Sequence, residues 1–244
     1  MKKTLFTLAF ALVAFTGNAQ SNLKGDMNDD GEKNITDVML LVDEILNGSK
    51  PQAYLTCPDD HHPHLIDLGL PSGTKWACCN VGTTTPEGYG GYYAWGETET
   101  KSYYDYSTYQ YYKNDSYQSI GDDIAGTQYD VAHVKWGGPW VMPSKEQNKE
   151  LVENCTFKST TVNGVNGGKY TSMSNGGSIF LPAAGYRRDS DLVGAGSYGS
   201  YWSSTQSPST AHDAYYLFFS SGGAGWYYTY GRYLGQSVRP VSRN

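Results

Sequence analysis

The spacing of apolar positions changes along this chain. Val38, Leu41, Val42, Ile45 and Leu46 recur at i, i+3, i+4, i+7 and i+8, which is one face of an amphipathic helix. Thr36 stands where an N-cap belongs and Gly48 where a helix stops. A second helix is predicted over 144–154, where Ser144 and Gln147 have capping-box spacing behind Pro143. Residues 130–133 predict a short helical turn. The remaining apolar runs are short, and those at 65–68, 75–77, 178–181, 201–204, 214–219 and 237–241 predict strands. Asn163 and Gly164 mark a hairpin turn within 160–180. The tyrosine-studded polar stretch 99–118 reads as a long surface loop. Pro51, Pro58 and Pro63 interrupt 49–63, which has no periodicity and reads as a linker.

The first residues have the pattern of a secretory leader. Lys2 and Lys3 precede an apolar stretch over 5–15, and Gly17 and Ala19 supply small residues before a cleavage point. A leader over 1–19 is therefore expected, with maturation at Gln20. The apolar stretch is too short to span a bilayer. The expectation is an exported protein with no membrane span, located outside the cell, on its surface or in a periplasm.

Composition narrows the class. Net charge is −6, which argues against a nucleic-acid partner. Charged residues make up 17%, against 29 glycines and 22 tyrosines, a balance that suits a loop-rich extracellular fold. The cysteines are Cys57, Cys78, Cys79 and Cys155. An exported chain permits disulfides, and Cys79 with Cys155 is the expected pair among three full connectivities.

One stretch carries legible chemistry. Over 26–37, Asp26, Asn28, Asp30, Asn34 and Asp37 place side-chain oxygens at loop positions 1, 3, 5, 9 and 12. Gly31 occupies the sharp-turn position, and Glu32 supplies the position-7 backbone carbonyl. Six to eight hard oxygens are what Ca²⁺ takes, so Ca²⁺ is the expected cofactor. His61, His62 and His64 admit a transition-metal reading, but in this context they read as polar linker. No catalytic residues are expected. Carboxylates show no local pairing in the main domain, His133 and His212 are isolated, and no Gly-x-Ser-x-Gly elbow occurs. Binding is expected over 206–233 instead, through Gln206, His212, Trp226, Tyr227, Tyr228, Tyr230, Arg232 and Tyr233. Tyrosine and tryptophan give rigid contact area, while glycine and serine give adaptability. The competing reading is a tyrosine-rich hairpin packed on its own domain.

Two resemblances follow from these motifs. Asp37 at position 12, where an EF-hand has glutamate, together with Gly25 before the loop, resembles a dockerin repeat. Dockerins pair with cohesins, so a cohesin-like partner is implied. Only one such repeat occurs here, and its apolar stripe needs the main domain, a second copy or a partner to cover it. The ordered motifs WACCNVG (76–82), YYAWGE (92–97), WGGPWVMPS (136–144), FLPAAGYR (180–187), YWSST (201–205) and SVRPV (237–241) resemble the Fibrobacter succinogenes major paralogous domain. That family is common in exported proteins of Bacteroidetes. The resemblance implies an α+β, C-type lectin-like fold over 64–244, in which two helices flank a small twisted antiparallel sheet and the C-terminal region forms a ligand face. The Glu-Pro-Asn or Gln-Pro-Asp loop of calcium-dependent sugar-binding lectins does not occur, so that route to sugar is not expected. Trp76, Trp95, Trp136, Trp140 and Trp202 are expected in the core, with Arg239 paired to Asp130 or Glu97.

The organisation expected is a leader (1–19), a calcium loop-helix (20–48), a linker (49–63) and the large domain. The expected function is non-enzymatic recognition or adhesion, with a glycan or cell-surface protein as ligand. The alternative is an assembly component of a polysaccharide-handling complex, docked through its dockerin-like repeat.

Overall fold

The computed structural model describes residues 65–242. The expected leader, the calcium loop with Asp26, Asn28, Asp30, Glu32, Asn34 and Asp37, the linker and its histidines all lie outside the described residues.

The described chain is built from short antiparallel strands. Strands β1 (Leu65–Asp67), β2 (Lys75–Ala77), β5 (Trp140–Val141) and β14 (Val241–Ser242) form a four-stranded sheet in the order β1-β2-β14-β5. Strands β3 (Tyr112–Lys113) and β4 (Ser116–Tyr117) make a small hairpin. Strands β6 (Cys155–Val162), β7 (Val165–Ser172) and β8 (Ser178–Pro182) make one meander. Strands β9 (Tyr186–Arg188) and β10 (Asp191–Val193) form a second hairpin. Strands β11 (Tyr198–Gln206), β12 (Asp213–Ser220) and β13 (Gly223–Gly231) form a second meander.

This corrects the expected C-type lectin-like α+β fold. Among the described residues there are two α-helices, α1 (Val131–Trp136) and α2 (Lys145–Asn154), of 6 and 10 residues. No single sheet lies between them, and the molecule is β-rich, divided among five small sheets. The physical reason is compositional. Among the described residues only 145–154 combines a run of good helix formers with a cap, whereas the glycine- and tyrosine-rich remainder favours strands and turns. Among the described residues no helix is long and apolar enough to cross a membrane.

Local signals did set several elements. Ser144 Oγ accepts from the Gln147 amide at 3.2 Å and Gln147 Oε1 accepts from the Ser144 amide at 2.9 Å, closing the capping box. Asn163 and Gly164 adopt φ of 48° and 81°, as the turn between β6 and β7 requires. The hairpin is longer than the pattern suggested, starting at Cys155. Asp130 caps α1 and holds the chain beyond it. Its carboxylate accepts from the amides of Gly126, Ala132, His133 and Met142 at 2.8, 2.9, 3.1 and 3.0 Å. Burial pushes this carboxyl above its ordinary value, against the pull of those four donors.

The stretch 99–118 is mostly exposed, as a surface loop should be, but it is anchored from within. Tyr104 and Tyr109 are buried in it, with Tyr109 donating to the Trp95 carbonyl at 2.6 Å. Aromatic rings are the largest side chains of the core, among aliphatic neighbours. Trp76, Trp95, Trp140 and Trp202 are buried, while Trp136 is half-buried against Trp140. Glycines make room for these rings. A Cβ on Gly199 would meet the Phe219 ring, and one on Gly235 the Tyr104 ring. The abundance of both residue types is thus one feature, since each close ring-to-backbone contact needs a residue without a side chain.

Arg239 departs from the expected pairing. It donates to Asn80 Oδ1 at 2.8 Å and to the carbonyls of Cys78, Phe180, Ala77 and Pro86 at 2.9, 3.0, 3.2 and 3.2 Å. Asp130 is taken up by capping, and Glu97 by Lys101 at 2.8 Å. The fork-shaped guanidinium can bind several carbonyls at once, so Arg239 joins the β2 end to 86 and 180.

Candidate functional site

The meander β11-β12-β13 has two unlike faces. Along β12, Leu217 and Phe219 are buried in one core cluster with Tyr170 and Tyr201, while on the opposite face Tyr216 packs partly against a second buried cluster that holds Trp202 and Ala214, and Phe218 lies half-buried. Strand alternation requires this division. The β12–β13 register contains a bulge. Tyr216 pairs with Tyr228 and Phe218 with Gly225, so Trp226 and Tyr227 together oppose Leu217. An extra residue in one strand re-aims the side chains that follow. Trp226 lies within 5.4 Å of the Lys145 ammonium and 5.3 Å of the Lys149 ammonium, both on α2. Tyr227 is 59% exposed and Tyr228 37% exposed, and their rings stack with centroids 4.6 Å apart.

The outer face, opposite Leu217 and Phe219, carries a continuous set of rings, of which Tyr186, Tyr216 and Tyr230 pack against the second buried cluster and Tyr227 and Tyr228 are exposed. Tyr198 lies 5.5 Å from Phe218, Phe218 5.5 Å from Tyr228, Tyr216 6.1 Å from Tyr230, and Tyr230 5.3 Å from Tyr186. The Tyr186 and Tyr230 hydroxyls are hydrogen-bonded at 3.2 Å. Gly225 lies close beneath Tyr228, where an added Cβ would meet the ring at 2.7 Å, and Gly194 lies close beneath Tyr198. Burial, followed by neighbouring phenols, pushes Tyr216 up to about 12, and burial raises Tyr230 to about 12. These phenols are neutral at ordinary pH, so the face presents rings and hydroxyls.

A polar cleft of about 610 Å³ lies between the first turn of α2 and the 206–211 segment. Asp122, Lys145, Glu146, Gln206, Ser207 and Tyr215 are among its walls. The Lys145 ammonium sits 4.0 Å above the Tyr215 ring, a cation–π contact that ties α2 to the sheet.

The residues singled out in 206–233 divide among three places. Tyr227, Tyr228 and Tyr230 share the outer face. Gln206 lines the cleft, and Trp226 adjoins Lys145 at its edge. His212 is exposed and lies 4.8 Å from the Tyr117 ring. Tyr233 is half-buried among the rings of the interior. Arg232 is fully buried. It donates to the Tyr109 hydroxyl at 2.9 Å, the Ala211 carbonyl at 3.0 Å, the Gln118 carbonyl at 3.2 Å and Gln206 Oε1 at 3.3 Å. Its guanidinium also lies 4.7 Å above the Trp95 ring. Arg232 therefore ties together segments of the fold, with no open side to meet a ligand. The stretch 222–233 is mostly strand β13 rather than loop.

Tyr186, Tyr198, Tyr216 and Phe218 were missed in the sequence. For Tyr216 and Phe218 a signal existed, because alternation places them on the face opposite Leu217 and Phe219. Tyr186 and Tyr198 are brought in from other strands by pairing, which has no local signature.

Cys79 and Cys155 are not joined. Cys155 is a free buried thiol in the main core, and Cys79 lies in a separate cluster with Cys78, Ile66 and Trp136. Burial pushes the Cys155 thiol up to about 11. Among the described residues no group of three or more His, Cys, Asp or Glu is arranged to hold a metal ion.

Residues 149–241 match the model of a domain of unknown function, DUF8237. The matched stretch is less than half of the chain, running from within α2 to the start of β14 and including the ring-bearing meander. No curated protein and no solved structure matches the chain.

Proposed function

We propose that this chain is an exported, non-enzymatic recognition protein that binds a glycan through the outer face of β11-β12-β13. The observation that carries this reading is the stacked, exposed pair Tyr227–Tyr228 on a face made of further rings. Exposed aromatic area that is contiguous marks a contact surface more often than a scattered exposed ring does. Pyranose rings present C–H faces that pack on tyrosine, and their hydroxyls pair with phenols. Sheet strands hold these rings in place before ligand arrives, which lowers the ordering cost of binding. The secretory pattern of 1–19 and the ordered motifs of 76–241 support an exported surface protein of Bacteroidetes type.

Calcium has a structural place in this reading. The oxygen spacing of Asp26, Asn28, Asp30, Glu32, Asn34 and Asp37 supports a site that orders the N-terminal element. The same loop, with the stripe Val38, Leu41, Val42, Ile45 and Leu46, favours a second reading. In it, the N-terminal element docks to a cohesin-like protein in a polysaccharide-handling assembly.

The test is a glycan array with residues 20–244, run with calcium and with chelator, beside the Tyr227→Ala, Tyr228→Ala double variant. The expected result is binding that survives chelation and is lost in the double variant. Absence of binding to every glycan under both conditions would sink the recognition reading and favour assembly.

A further inference from the structure

We infer that the ring face selects a single, uncharged polysaccharide chain lying obliquely across the strands, and not the flat surface of a crystalline polysaccharide. This rests on the glycan-recognition reading and specifies its ligand. Four rings form a row, Tyr198 on β11, Phe218 on β12, then Tyr228 and Tyr227 on β13. Successive centroids are 5.5, 5.5 and 4.6 Å apart. These steps follow the strand spacing of roughly 4.8 Å and are close to the advance of a glycan chain per pyranose. One chain can therefore place consecutive sugars against consecutive rings.

The tilt of the rings sets the chain's form. Planes turn by 41° from Tyr198 to Phe218, by 69° from Phe218 to Tyr228 and by 28° from Tyr228 to Tyr227. Rings rotated by such angles do not share a plane, so a flat crystal face cannot touch all four. A single chain, whose sugars rotate about each glycosidic bond, can follow them. The sheet's twist and the bulge at Trp226 and Tyr227 are the sources of the rotation.

Charge on the face points to a neutral ligand. The row consists of phenols and a phenyl ring, and the phenols at Tyr216 and Tyr230 beside it are neutral. The cations near this group of rings are Arg188, near Tyr230 and Tyr233 and 4.0 Å from Asp189, and Lys145 and Lys149, whose ammoniums lie over the Trp226 ring next to Tyr227. Among the described residues none of these cations lies over a ring of the row itself, and the two lysines are engaged with Trp226 and, for Lys145, with Tyr215.

The test uses calorimetric titration of residues 20–244 with neutral gluco-oligosaccharides, both β-linked and α-linked, from disaccharide to hexasaccharide. Oligogalacturonate serves as the charged counterpart, and microcrystalline cellulose and chitin as the flat ones. Affinity is expected to rise with chain length up to the tetrasaccharide. Tyr198→Ala and Tyr227→Ala, at opposite ends of the row, should each weaken hexasaccharide binding roughly 2- to 10-fold while leaving the disaccharide nearly unaffected. Tyr227 is exposed, so its variant should fold normally, and thermal unfolding checks both. Saccharide binding that is independent of length, unaltered by both variants, stronger for oligogalacturonate or stronger for crystalline material would overturn the inference while leaving glycan recognition standing. Failure to bind any saccharide would overturn both.

Discussion

Replacing Arg232 separates a structural role from a ligand-binding one. The wild-type guanidinium is fully buried and serves four acceptors, the Tyr109 hydroxyl, the Ala211 and Gln118 carbonyls and Gln206 Oε1. Arg232→Ala removes every one of these donors and empties the space above the Trp95 ring. A charged hydrogen bond contributes about 1.5–3 kcal/mol, and such bonds are not additive when they share one group. Breaking a buried charged network typically costs about 3–5 kcal/mol, which is the expected loss here. For a domain of this size that corresponds to roughly 6–20 °C in Tm. Arg232→Lys keeps the charge but cannot span the fork, so it should lose at least about 2 kcal/mol. The assay is urea unfolding followed by tryptophan fluorescence, paired with glycan titration well below the transition. Binding should change less than about twofold, since no exposed atom has been altered. A stability loss under about 1 kcal/mol in Arg232→Ala, or lost binding at unchanged stability, would refute the clamp.

Two further predictions concern packing and pH. Gly199→Ala drives a Cβ into the Phe219 ring and should destabilise the fold by about 1–3 kcal/mol. Gly222→Ala, whose added Cβ would meet only Ser220 Oγ, at 3.7 Å, should stay within about 0.5 kcal/mol by the same urea assay. Burial is the leading cause holding Tyr93, Tyr117, Tyr216 and Tyr230 at about 12 against an ordinary value of 10.0, and Cys155 at about 11 against 9.0. Folding thus favours the protonated forms. That contribution is complete below the unfolded values and is lost as pH rises through the folded ones. Stability should hold to about pH 9 and fall progressively from there to about pH 12, followed by unfolding midpoint and tyrosinate absorbance. Tyrosines titrating together near 10 in the folded protein would contradict the burial seen at these rings.

Legibility in the sequence tracked how local each cause was. Ser144 with Gln147, Asn163 with Gly164 and Asp130 before α1 act within a few residues, so their elements could be read directly. The oxygen spacing over 26–37 that suggests calcium is a pattern of the same local kind, and it lies outside the described residues. The C-type lectin-like expectation failed because short motifs do not specify which strands pair, and here the pairing divides the chain among five small sheets.

The candidate site shows the same limit. Tyrosine abundance and the run 226–233 could be read, and they drew attention to the strand that carries the exposed pair Tyr227 and Tyr228. Which tyrosines face solvent was decided by the bulge opposite Leu217, which turns Trp226 toward the lysines of α2 and leaves Tyr227 stacked on Tyr228. Arg232 has the composition of a binding residue and the environment of a core residue, because its acceptors come from 109, 118, 206 and 211. The sequence by itself determined the caps, the turns, the oxygen ligand spacing and a chain rich in rings and glycines. Only the tertiary structure decided which rings share a face and which cation is buried, since strand register and long-range hydrogen bonds place residues together that are distant along the chain.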